Sequence, residues 1–408
     1  MKVRNNYQGR WMVMGCIFMF FVFVIGLPQA GAFVPLKGDL AKYDPNNPAF
    51  FVTSGDTIKF AIWDVFSGPN AWIGEAYYAL LGFVAHDINS QGGIKVDGKM
   101  KKIQIVKMDT QGQPDPAKRS LEKAILQDKI HAFSGVAGTH LAKVGQPLAK
   151  EYKVIFVNLS AYSDELSMLP DFNEYHFRTC GTSSTTAKAL AIFYKTRPET
   201  KFYILAQDYV WGHESTGVFK KTLLESKPNA KIVGEEFFPL MTKDFAPYLE
   251  KVRASGAEVI VTMSWGADNE NMIKQSVQLG IKSPLNPDRF IPMASPFLDA
   301  TQPLEAIGGP AGRGHVLCTD FYLDRKLRPM EKKLVIASWE GDTFDAFGWK
   351  HYMRPDDHQV IADRPIAELV FPNDWEQPKN AAAGPPRWIP AKDCMPAFDE
   401  KLRGRAKK

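Results

Sequence analysis

The sequence predicts an α/β fold built from parallel sheets with helices on both faces. Strand-like and helix-like segments alternate regularly over more than 230 residues, from about 57 to 293. This alternation is typical of βαβ units, in which each helix returns the chain so that the next strand runs parallel to the last. The span is too long for one such sheet, so two similar lobes are predicted.

Small and hydroxyl residues follow two successive strands in the stretch 132–166. The first strand ends in SGVAGT (134–139), and the second, after a helix, ends in NLSAYS (158–163). In open parallel sheets, ligands bind in the crevice outside the carboxyl ends of the strands. These residue types are also ordinary in turns and at helix N-caps. Two consecutive turns of this kind favour a binding cleft, where a ligand can reach backbone N–H groups at a helix start.

The first 32 residues have the organisation of a secretory signal peptide. Three basic residues within the first ten positions precede an apolar run over 11–27, and Ala-Gly-Ala at 30–32 supplies small residues before a cleavage point. A retained membrane anchor is the alternative, because the apolar run approaches spanning length. A cleaved signal predicts export to the periplasm.

The net charge of +5 belongs to the chain ends. Residues 1–32 carry +3 and residues 373–408 carry another +3, which leaves about −1 on the body. Proteins that bind nucleic acids or membrane surfaces instead place a basic patch on the fold itself. No nucleic-acid partner is therefore expected.

The predicted elements follow an extended leader over 33–56. Strands are predicted at 57–63, 103–108, 132–133, 154–157, 174–179, 202–206, 232–238, 258–263 and 290–293. Helices are predicted at about 71–90, from 115 onward, and at 140–152, 182–194, 212–226, 245–255 and 267–279. Gly92-Gly93 ends the first helix and Asp115-Pro116 opens the second. Residues 373–408, with five prolines and an Ala-Ala-Ala-Gly run, predict a poorly ordered Pro-rich tail.

Signatures of catalysis are missing from the sequence. No GxGxxG follows a strand, and neither a GxxxxGK[ST] loop nor a GxSxG turn occurs. His213-Glu214 begins like a zinc-protease motif, but Gly217 stands where the second histidine belongs. The sequence therefore predicts a protein that is not an enzyme, with no catalytic residues, no cofactor and no metal.

Seven short segments share their order and spacing with a known family. They are SGPNA (67–71) with Gly74, DINSQGGI (87–94), DTQGQP (109–114), FRT (177–179), DYVWG (208–212), DFAP (244–247) and KQSVQLG (274–280). Together they resemble the type I periplasmic solute-binding proteins of ABC transporters, in the group labelled branched-chain amino-acid or Leu/Ile/Val binding. The signal peptide agrees independently with this resemblance.

The resemblance implies two doubly wound lobes that are joined by three crossover strands and close on a ligand like a hinge. The crossovers are expected at 177–179, 314–319 and near 358–361. The implied lobe 1 is 57–179 plus 319–357, and lobe 2 is 180–318 plus 358–372. Family members usually place two helices between the second and third crossovers, and 323–357 is too short for both.

The function implied by the resemblance is that of a periplasmic receptor. It captures a small organic solute and delivers it to an inner-membrane ABC permease, and a monomer is expected. A sensor of the same fold that signals to a membrane partner is one alternative, and a secreted α/β enzyme is another. A neighbouring permease and ATPase gene pair would favour the receptor over the sensor, and turnover of a bound compound would favour the enzyme.

The resemblance also indicates candidate binding positions. In amino-acid binders of this family, hydroxyl groups of the two central loops hold the α-carboxylate and an acidic residue of the second lobe holds the ammonium group. Thr139 matches the first hydroxyl position, but the second falls on Tyr162, and the acidic position falls near Ala294-Ser295 without a carboxylate. Asp268 is a substitute, with a helix N-terminal charge as its alternative role.

Aromatic residues at the ends of strands predict a ligand other than a simple α-amino acid. Aromatic faces suit apolar, planar or cationic ligands, although each ring also has packing as an alternative role. The predicted ligand-binding residues are Trp72, Thr139, Ser160, Tyr162, Trp211, Trp265 and Asp268.

Three cysteines remain after the predicted cleavage: Cys180, Cys318 and Cys394. Cys180 and Cys318 fall at predicted crossover strands, and exported proteins meet oxidising conditions, so a bridge between them is a hypothesis. The alternative is two buried apolar thiols.

Overall fold

The structure is a computed structural model of the whole chain. It describes residues 37–38, 42–52, 55–297, 311–318, 343–346, 349–354, 359–361, 364–370, 382–383, 387–396 and 398–403. The chain separates into two compact units, Met1–Lys37 and Gly38–Lys408. The predicted signal peptide at 1–32 lies outside the described residues. Within those residues, no helix is both long and apolar enough to cross a membrane.

Strands and helices alternate along the second unit, as the sequence predicts. The strands are β1 (Thr57–Asp64), β2 (Ile94–Val96), β3 (Lys99–Asp109), β4 (Ala132–Gly135), β5 (Ile155–Asn158), β6 (His176–Arg178), β7 (Lys201–Gln207), β8 (Lys231–Phe238), β9 (Val259–Met263), β10 (Lys282–Ser283), β11 (Asn286–Phe290), β12 (Met293–Ser295), β13 (Val316–Cys318), β14 (Thr343–Ala346), β15 (Trp349–Arg354), β16 (Gln359–Ile361), β17 (Arg364–Val370), β18 (Ala382–Ala383) and β19 (Arg387–Ile389). The helices are α1 (Ala71–Ser90), α2 (Pro114–Leu126), α3 (Thr139–Tyr152), α4 (Ser183–Tyr194), α5 (Val210–Ser226), α6 (Ala246–Ser255), α7 (Gly266–Gln278) and α8 (Ala391–Cys394).

The first lobe is organised around a sheet whose described strands follow the order β14-β15-β16-β6-β5-β4-β1-β3-β2. From β3 to β16 the neighbouring strands run parallel, whereas both edges are antiparallel. The helices that connect the parallel strands cover the faces of this sheet. The carboxyl ends of β1, β4 and β5 therefore meet at one edge of the sheet.

The second lobe has a sheet with the described order β18-β17-β13-β12-β9-β7-β8, and β19 also pairs with β17. Strands β8, β7, β9, β12 and β13 run parallel, and β17 runs antiparallel to β13. The carboxyl ends of β7, β9 and β12 therefore also meet at one edge.

The chain passes between the two sheets three times. It leaves the first sheet after β6, returns between β13 and β14, and leaves again between β16 and β17. These crossings confirm the predicted fold class of two doubly wound lobes joined by three crossovers. The predicted lobe ranges stay a prediction. Residues 358–372 are predicted for lobe 2, whereas strand β16 within this range pairs with β6 of the first sheet. Between the second and third crossings, the described residues form the antiparallel strands β14, β15 and β16.

Hydrogen bonds join the lobes beside the first crossing. Glu214 of α5 accepts hydrogen bonds from the Asp164 backbone N–H (3.0 Å) and from Ser183 Oγ (2.5 Å). The Asp164 carboxylate accepts from the backbone N–H and the Oγ of Ser184 (3.0 and 2.5 Å). Burial, with Asp164 nearby, raises the pKa of Glu214 to about 6. This contact fixes the start of α4 against the loop that precedes β6.

Aromatic and aliphatic side chains form the core of each lobe. In the first lobe, the rings of Phe133 and Phe156 stack with centroids 4.6 Å apart, and Trp63 lies edge-on to both. In the second lobe, α4 is buried along almost its whole length and packs against α5. A capping box between Thr182 and Thr185 starts α4. Each fully buried large apolar side chain contributes about 1.5–3 kcal/mol relative to an exposed one.

Parts of the two terminal segments pack on the body. Tyr43 contacts Phe83 of α1, and Phe51 stacks on Tyr78 of the same helix. In the tail, β19 pairs with β17, and Cys394 is fully buried. The prediction of a poorly ordered tail is therefore wrong for its described parts, because a few apolar side chains there bury against the second lobe despite the Pro-rich composition.

Candidate ligand-binding cleft

The predicted site residues lie in the loops and first helical turns that follow the carboxyl ends of strands in both lobes. Trp72 follows β1, Thr139 follows β4, and Ser160 and Tyr162 follow β5. Trp211 follows β7. Trp265 and Asp268 follow β9. The connectivity of parallel sheets explains this placement, because every strand in such a sheet delivers its next loop to the same edge.

The two central loops of the first lobe are joined by their hydroxyl side chains. Ser160 Oγ donates to the Val136 carbonyl oxygen (3.0 Å), and the Ser163 backbone N–H donates to Thr139 Oγ1 (3.3 Å). Thr139 is fully buried and Ser160 is half-buried. These hydroxyls hold the loops after β4 and β5 together, which is a structural role whether or not they also contact a ligand.

Asp64, the last residue of β1, lies buried beneath the same loops. Its Oδ1 accepts hydrogen bonds from the backbone N–H groups of Val65 (2.7 Å) and Ala137 (3.2 Å). Its Oδ2 is buried and has no hydrogen-bond partner. Burial raises the pKa of the Asp64 carboxyl to about 7, against the effect of the two hydrogen bonds.

Five aromatic side chains form a continuous cluster, here called the aromatic cluster: Tyr162, Tyr209, Trp211, Trp265 and Phe297. The ring centroids of Tyr162 and Phe297 are 5.0 Å apart, and those of Phe297 and Trp211 are 5.4 Å apart. Tyr209 lies 6.1 Å from Trp211, and its hydroxyl accepts from Trp265 Nε1 (2.9 Å). The structure therefore brings together three of the four predicted aromatic residues, Tyr162, Trp211 and Trp265.

Trp72 stands apart from the aromatic cluster. It is half-buried in the first turn of α1. Within the described residues, no ring of the aromatic cluster contacts it. Its predicted role in binding stays a prediction.

The indole N–H of Trp211 has an unusual environment. Trp211 is only 1% exposed, and its Nε1 has no hydrogen-bond partner among the described residues. A buried donor without an acceptor costs about 1–3 kcal/mol. The aromatic cluster therefore contains one polar group that is available to an acceptor.

Asp268 is buried at the start of α7 and holds neighbouring loops in place. Its Oδ2 accepts from Gln207 Nε2 (2.8 Å) and from the Met241 backbone N–H (3.0 Å), while Oδ1 is buried without a partner. Burial raises the pKa of the Asp268 carboxyl above its ordinary value. Asp268 thus fixes the loop after β8 against the end of β7, a role that sequence reasoning did not identify.

The two lobes touch across the cleft. The His140 ring in the first turn of α3 lies edge-on to Tyr209, with centroids 5.8 Å apart. Burial lowers the pKa of His140, so this imidazole is neutral at pH 7. Asn70, before α1, contacts Met241 and Ala267 of the second lobe.

Sequence reasoning missed Tyr209, Phe297, His140 and Asn70. Tyr209 and Asn70 stand inside segments that carried the family resemblance, DYVWG and SGPNA. The signal for both residues is therefore their place in these two segments. Phe297 and His140 carry no such signal, because only the folded chain shows what their rings face.

None of the three described cysteines forms a disulfide bond. Cys180, Cys318 and Cys394 are all buried and unbridged, and all three belong to one apolar core cluster of the second lobe. The hypothesis of a bridge between Cys180 and Cys318 is therefore wrong for this structure. In that core each thiol packs as a small apolar group.

Comparison with known proteins identifies the family. The profile of a family described as periplasmic binding protein matches residues 57–332. A curated relative, Leu/Ile/Val-binding protein homolog 4 of Brucella abortus, is 26% identical over 282 residues, which are 66% of this chain and 63% of the relative. The chain thus spans about 63% of the length of the curated relative.

Solved structures share the fold. A Leu, Ile, Val, Thr and Ala-binding protein from Brucella ovis, in a closed conformation, has a TM-score of 0.68 at 19% identity, covering 85% of this chain and 98% of that chain. A solute-binding protein of an ABC transporter from Rhodopseudomonas palustris, in complex with 3,4-dihydroxybenzoic acid, has a TM-score of 0.67 at 18% identity, covering 82% and 98%. With the family match over most of the chain, the protein belongs to the type I periplasmic binding proteins, in the branched-chain amino-acid group.

Proposed function

We propose that this protein is the periplasmic solute-binding component of an ABC importer. It captures a small organic solute between its two lobes and delivers it to an inner-membrane permease. The family consists of binding proteins rather than enzymes. The observation that carries the proposal is the aromatic cluster, which gathers residues from both lobes at the carboxyl ends of parallel strands.

The proposed ligand is a planar or apolar acid, not an α-amino acid. An ammonium group in the cleft needs a buried carboxylate, since an unpaired buried charge costs several kcal/mol. Asp268 is the one candidate from the sequence, and its Oδ2 already accepts two hydrogen bonds while burial favours its neutral form. Aromatic faces and the unpartnered Trp211 N–H suit a ring that bears a carboxylate or a hydroxyl group. The Rhodopseudomonas palustris neighbour binds a ligand of this kind.

Calorimetric titration of the purified protein tests the ligand class. We expect 3,4-dihydroxybenzoate to bind with micromolar affinity and leucine, isoleucine and valine to show no binding below about 100 μM. Micromolar binding of leucine that Asp268→Ala abolishes would contradict the proposal and restore an amino-acid ligand.

Trp211→Phe tests the contact within the site. It keeps an aromatic ring but removes the indole N–H, so we expect the affinity for 3,4-dihydroxybenzoate to weaken by at least about 1 kcal/mol. The matched control is Trp63→Phe in the first-lobe core, where the indole N–H donates to the Ala117 carbonyl oxygen (3.0 Å). The control variant should lose stability without losing affinity. Equal affinity of Trp211→Phe and the wild type would remove Trp211 from the site.

A further inference from the structure

The side chain of Asn70 crosses from the first lobe to the second. Asn70 is only 8% exposed and lies in the loop between β1 and α1. Its Oδ1 accepts a hydrogen bond from the Ala267 backbone N–H (3.1 Å), and its Nδ2 donates to Met241 Sδ (3.6 Å). The oxygen and the nitrogen of the Asn70 side-chain amide therefore both bind the second lobe.

A side chain of the other lobe caps the N-terminus of helix α7. The first N–H groups of any helix have no acceptor within the helix. The N-cap residue of α7 is Trp265, whose side chain makes no capping hydrogen bond. Asparagine is among the best N-cap residues because its carbonyl oxygen accepts from such N–H groups. Asn70 makes this bond from the other lobe, and it makes no side-chain capping bond to its own helix α1.

Gly266 makes this approach possible. A Cβ atom on Gly266 would lie 2.5 Å from Asn70 Oδ1, which is closer than non-bonded atoms can come. Its φ of +63° is also a conformation that favours glycine. Because Gly266 has no side chain, the start of α7 leaves room for the Asn70 side chain.

Asp268 holds Met241, the second residue that Asn70 contacts, in position. Its Oδ2 accepts from the Met241 backbone N–H, and this bond holds the loop after β8 beside the start of α7. Met241 itself has a φ of +68° and is 45% exposed at the rim of the cleft. The receiving surface for Asn70 is therefore arranged within the second lobe.

We propose that Asn70 is an interlobe latch, which caps helix α7 only when the two lobes are closed. This inference rests on the proposed function, in which ligand and closure are coupled. A group that stabilises only the closed state raises ligand affinity without needing to touch the ligand. Loss of the latch should weaken binding mainly by accelerating ligand release, because a closed complex must open before the ligand leaves.

Amide hydrogen exchange of Ala267, followed by NMR, tests the latch. It is measured in the ligand-free protein, which exchanges between open and closed forms, and again with 3,4-dihydroxybenzoate, which favours the closed form. This N–H has no acceptor within α7, so protection of it depends on Asn70. We expect Asn70→Ala to accelerate its exchange in both samples, and by about fivefold where the closed form dominates, the factor that corresponds to a typical capping bond. Asn70→Asp keeps an acceptor oxygen and should preserve the protection. Gln113→Ala, at the N-cap of α2 where the side chain makes no capping bond, is the matched control and should change nothing.

Two exchange results would overturn the latch. One is an unchanged Ala267 exchange rate in Asn70→Ala. The other is an acceleration spread evenly over α1 and α7, which would show general destabilisation instead of a lost cap.

Titration with 3,4-dihydroxybenzoate provides the second readout. Asn70→Ala and Gly266→Ala should each weaken binding about fivefold, with most of the change in the dissociation rate. Unchanged affinity in Asn70→Ala would count against the latch. If the wild type does not bind 3,4-dihydroxybenzoate, the proposed ligand class fails, while the exchange experiment still decides the latch.

Discussion

His315 is a buried, neutral imidazole in the second lobe. It is 1% exposed, and its Nδ1 accepts a hydrogen bond from the Met293 backbone N–H (2.8 Å). Burial lowers the pKa of His315 from its ordinary 6.5 to about 4. The folded protein therefore binds fewer protons than the unfolded chain between these two values.

The lowered pKa of His315 predicts a loss of stability in mild acid. As the pH falls from about 6.5 toward 4, His315 becomes protonated in the unfolded chain but stays neutral in the folded protein. We expect this residue to lower the free energy of unfolding by about 2 kcal/mol between pH 7.5 and pH 5. Urea denaturation of the wild type and of His315→Asn at both pH values measures the effect, since asparagine can accept the same hydrogen bond without titrating. Parallel pH dependence in the two proteins would refute this role.

Asp64 gives a pH dependence of the opposite sign. Its folded pKa of about 7 lies above the ordinary value of 3.8, so the folded protein keeps a proton that the unfolded chain releases. Stability from this group is full below about pH 4 and is lost as the pH rises toward 7. Asp64→Asn should remove that decline, which is at most about 1.4 kcal/mol per pH unit. Unfolding free energies at pH 5 and 7.5 test it, and a decline that persists in the variant would exclude Asp64 as its source.

Local sequence patterns predict part of the candidate site. The positions of Thr139, Ser160 and Tyr162 follow from small and hydroxyl residues at strand ends. The contact between Asn70 and Ala267 joins residues that are 197 positions apart in the sequence, so no local sequence pattern predicts it. The same is true of Phe297, which links Tyr162 to Trp211 only in the folded chain.

Among the elements, helix α3 ends in a conformation that its last residues do not favour. Lys153, which follows the helix, has the left-handed angles φ 55° and ψ 44°. The Val154 backbone N–H closes the helix by donating to the Ala149 carbonyl oxygen (3.0 Å). Glycine usually occupies such a position because a Cβ atom there costs energy.

Lys153→Gly should therefore stabilise the protein. We expect a gain of about 0.5–1 kcal/mol, reduced from the full relief of strain by the extra freedom of glycine in the unfolded chain. Lys150→Gly, three residues earlier and also exposed, is the control and should cost about 1 kcal/mol, because Lys150 lies inside the helix. Thermal unfolding of both variants measures the difference. A loss of stability in Lys153→Gly would contradict this account of the helix end.

Element boundaries show where sequence patterns suffice. Helix α1 occupies the predicted residues 71–90, because apolar periodicity and Gly92-Gly93 fix both its length and its end. The predicted strand at 290–293 is wrong. Residues 286–290 pair with 282–283 in a hairpin, and the strand of the main sheet is Met293–Ser295. Both segments are short and apolar at their junction, so composition alone does not separate them.

In the whole molecule, three crossings of the chain join the two lobes, and we expect the lobes to move about these crossings as about a hinge. In the proposed function, a ligand that contacts both lobes would favour the closed arrangement over the open one. We expect the radius of gyration in small-angle X-ray scattering to decrease when 3,4-dihydroxybenzoate is added at about ten times its dissociation constant. In the absence of ligand, Asn70→Ala should have a larger radius of gyration than the wild type. If saturating ligand leaves the radius of the wild type unchanged, the hinge mechanism fails.

The buried thiols of the second lobe make the described chain suitable for site-specific labelling. Cys180, Cys318 and Cys394 are at most 3% exposed, so maleimide reagents have little access to them in the folded protein. Met241 lies at the rim of the cleft and touches Asn70. Met241→Cys would therefore offer an accessible thiol where the lobes meet, and an environment-sensitive dye on it would change its emission as the cleft shuts. The protein would then become its own optical reporter, with which a library of small acids could be screened in solution.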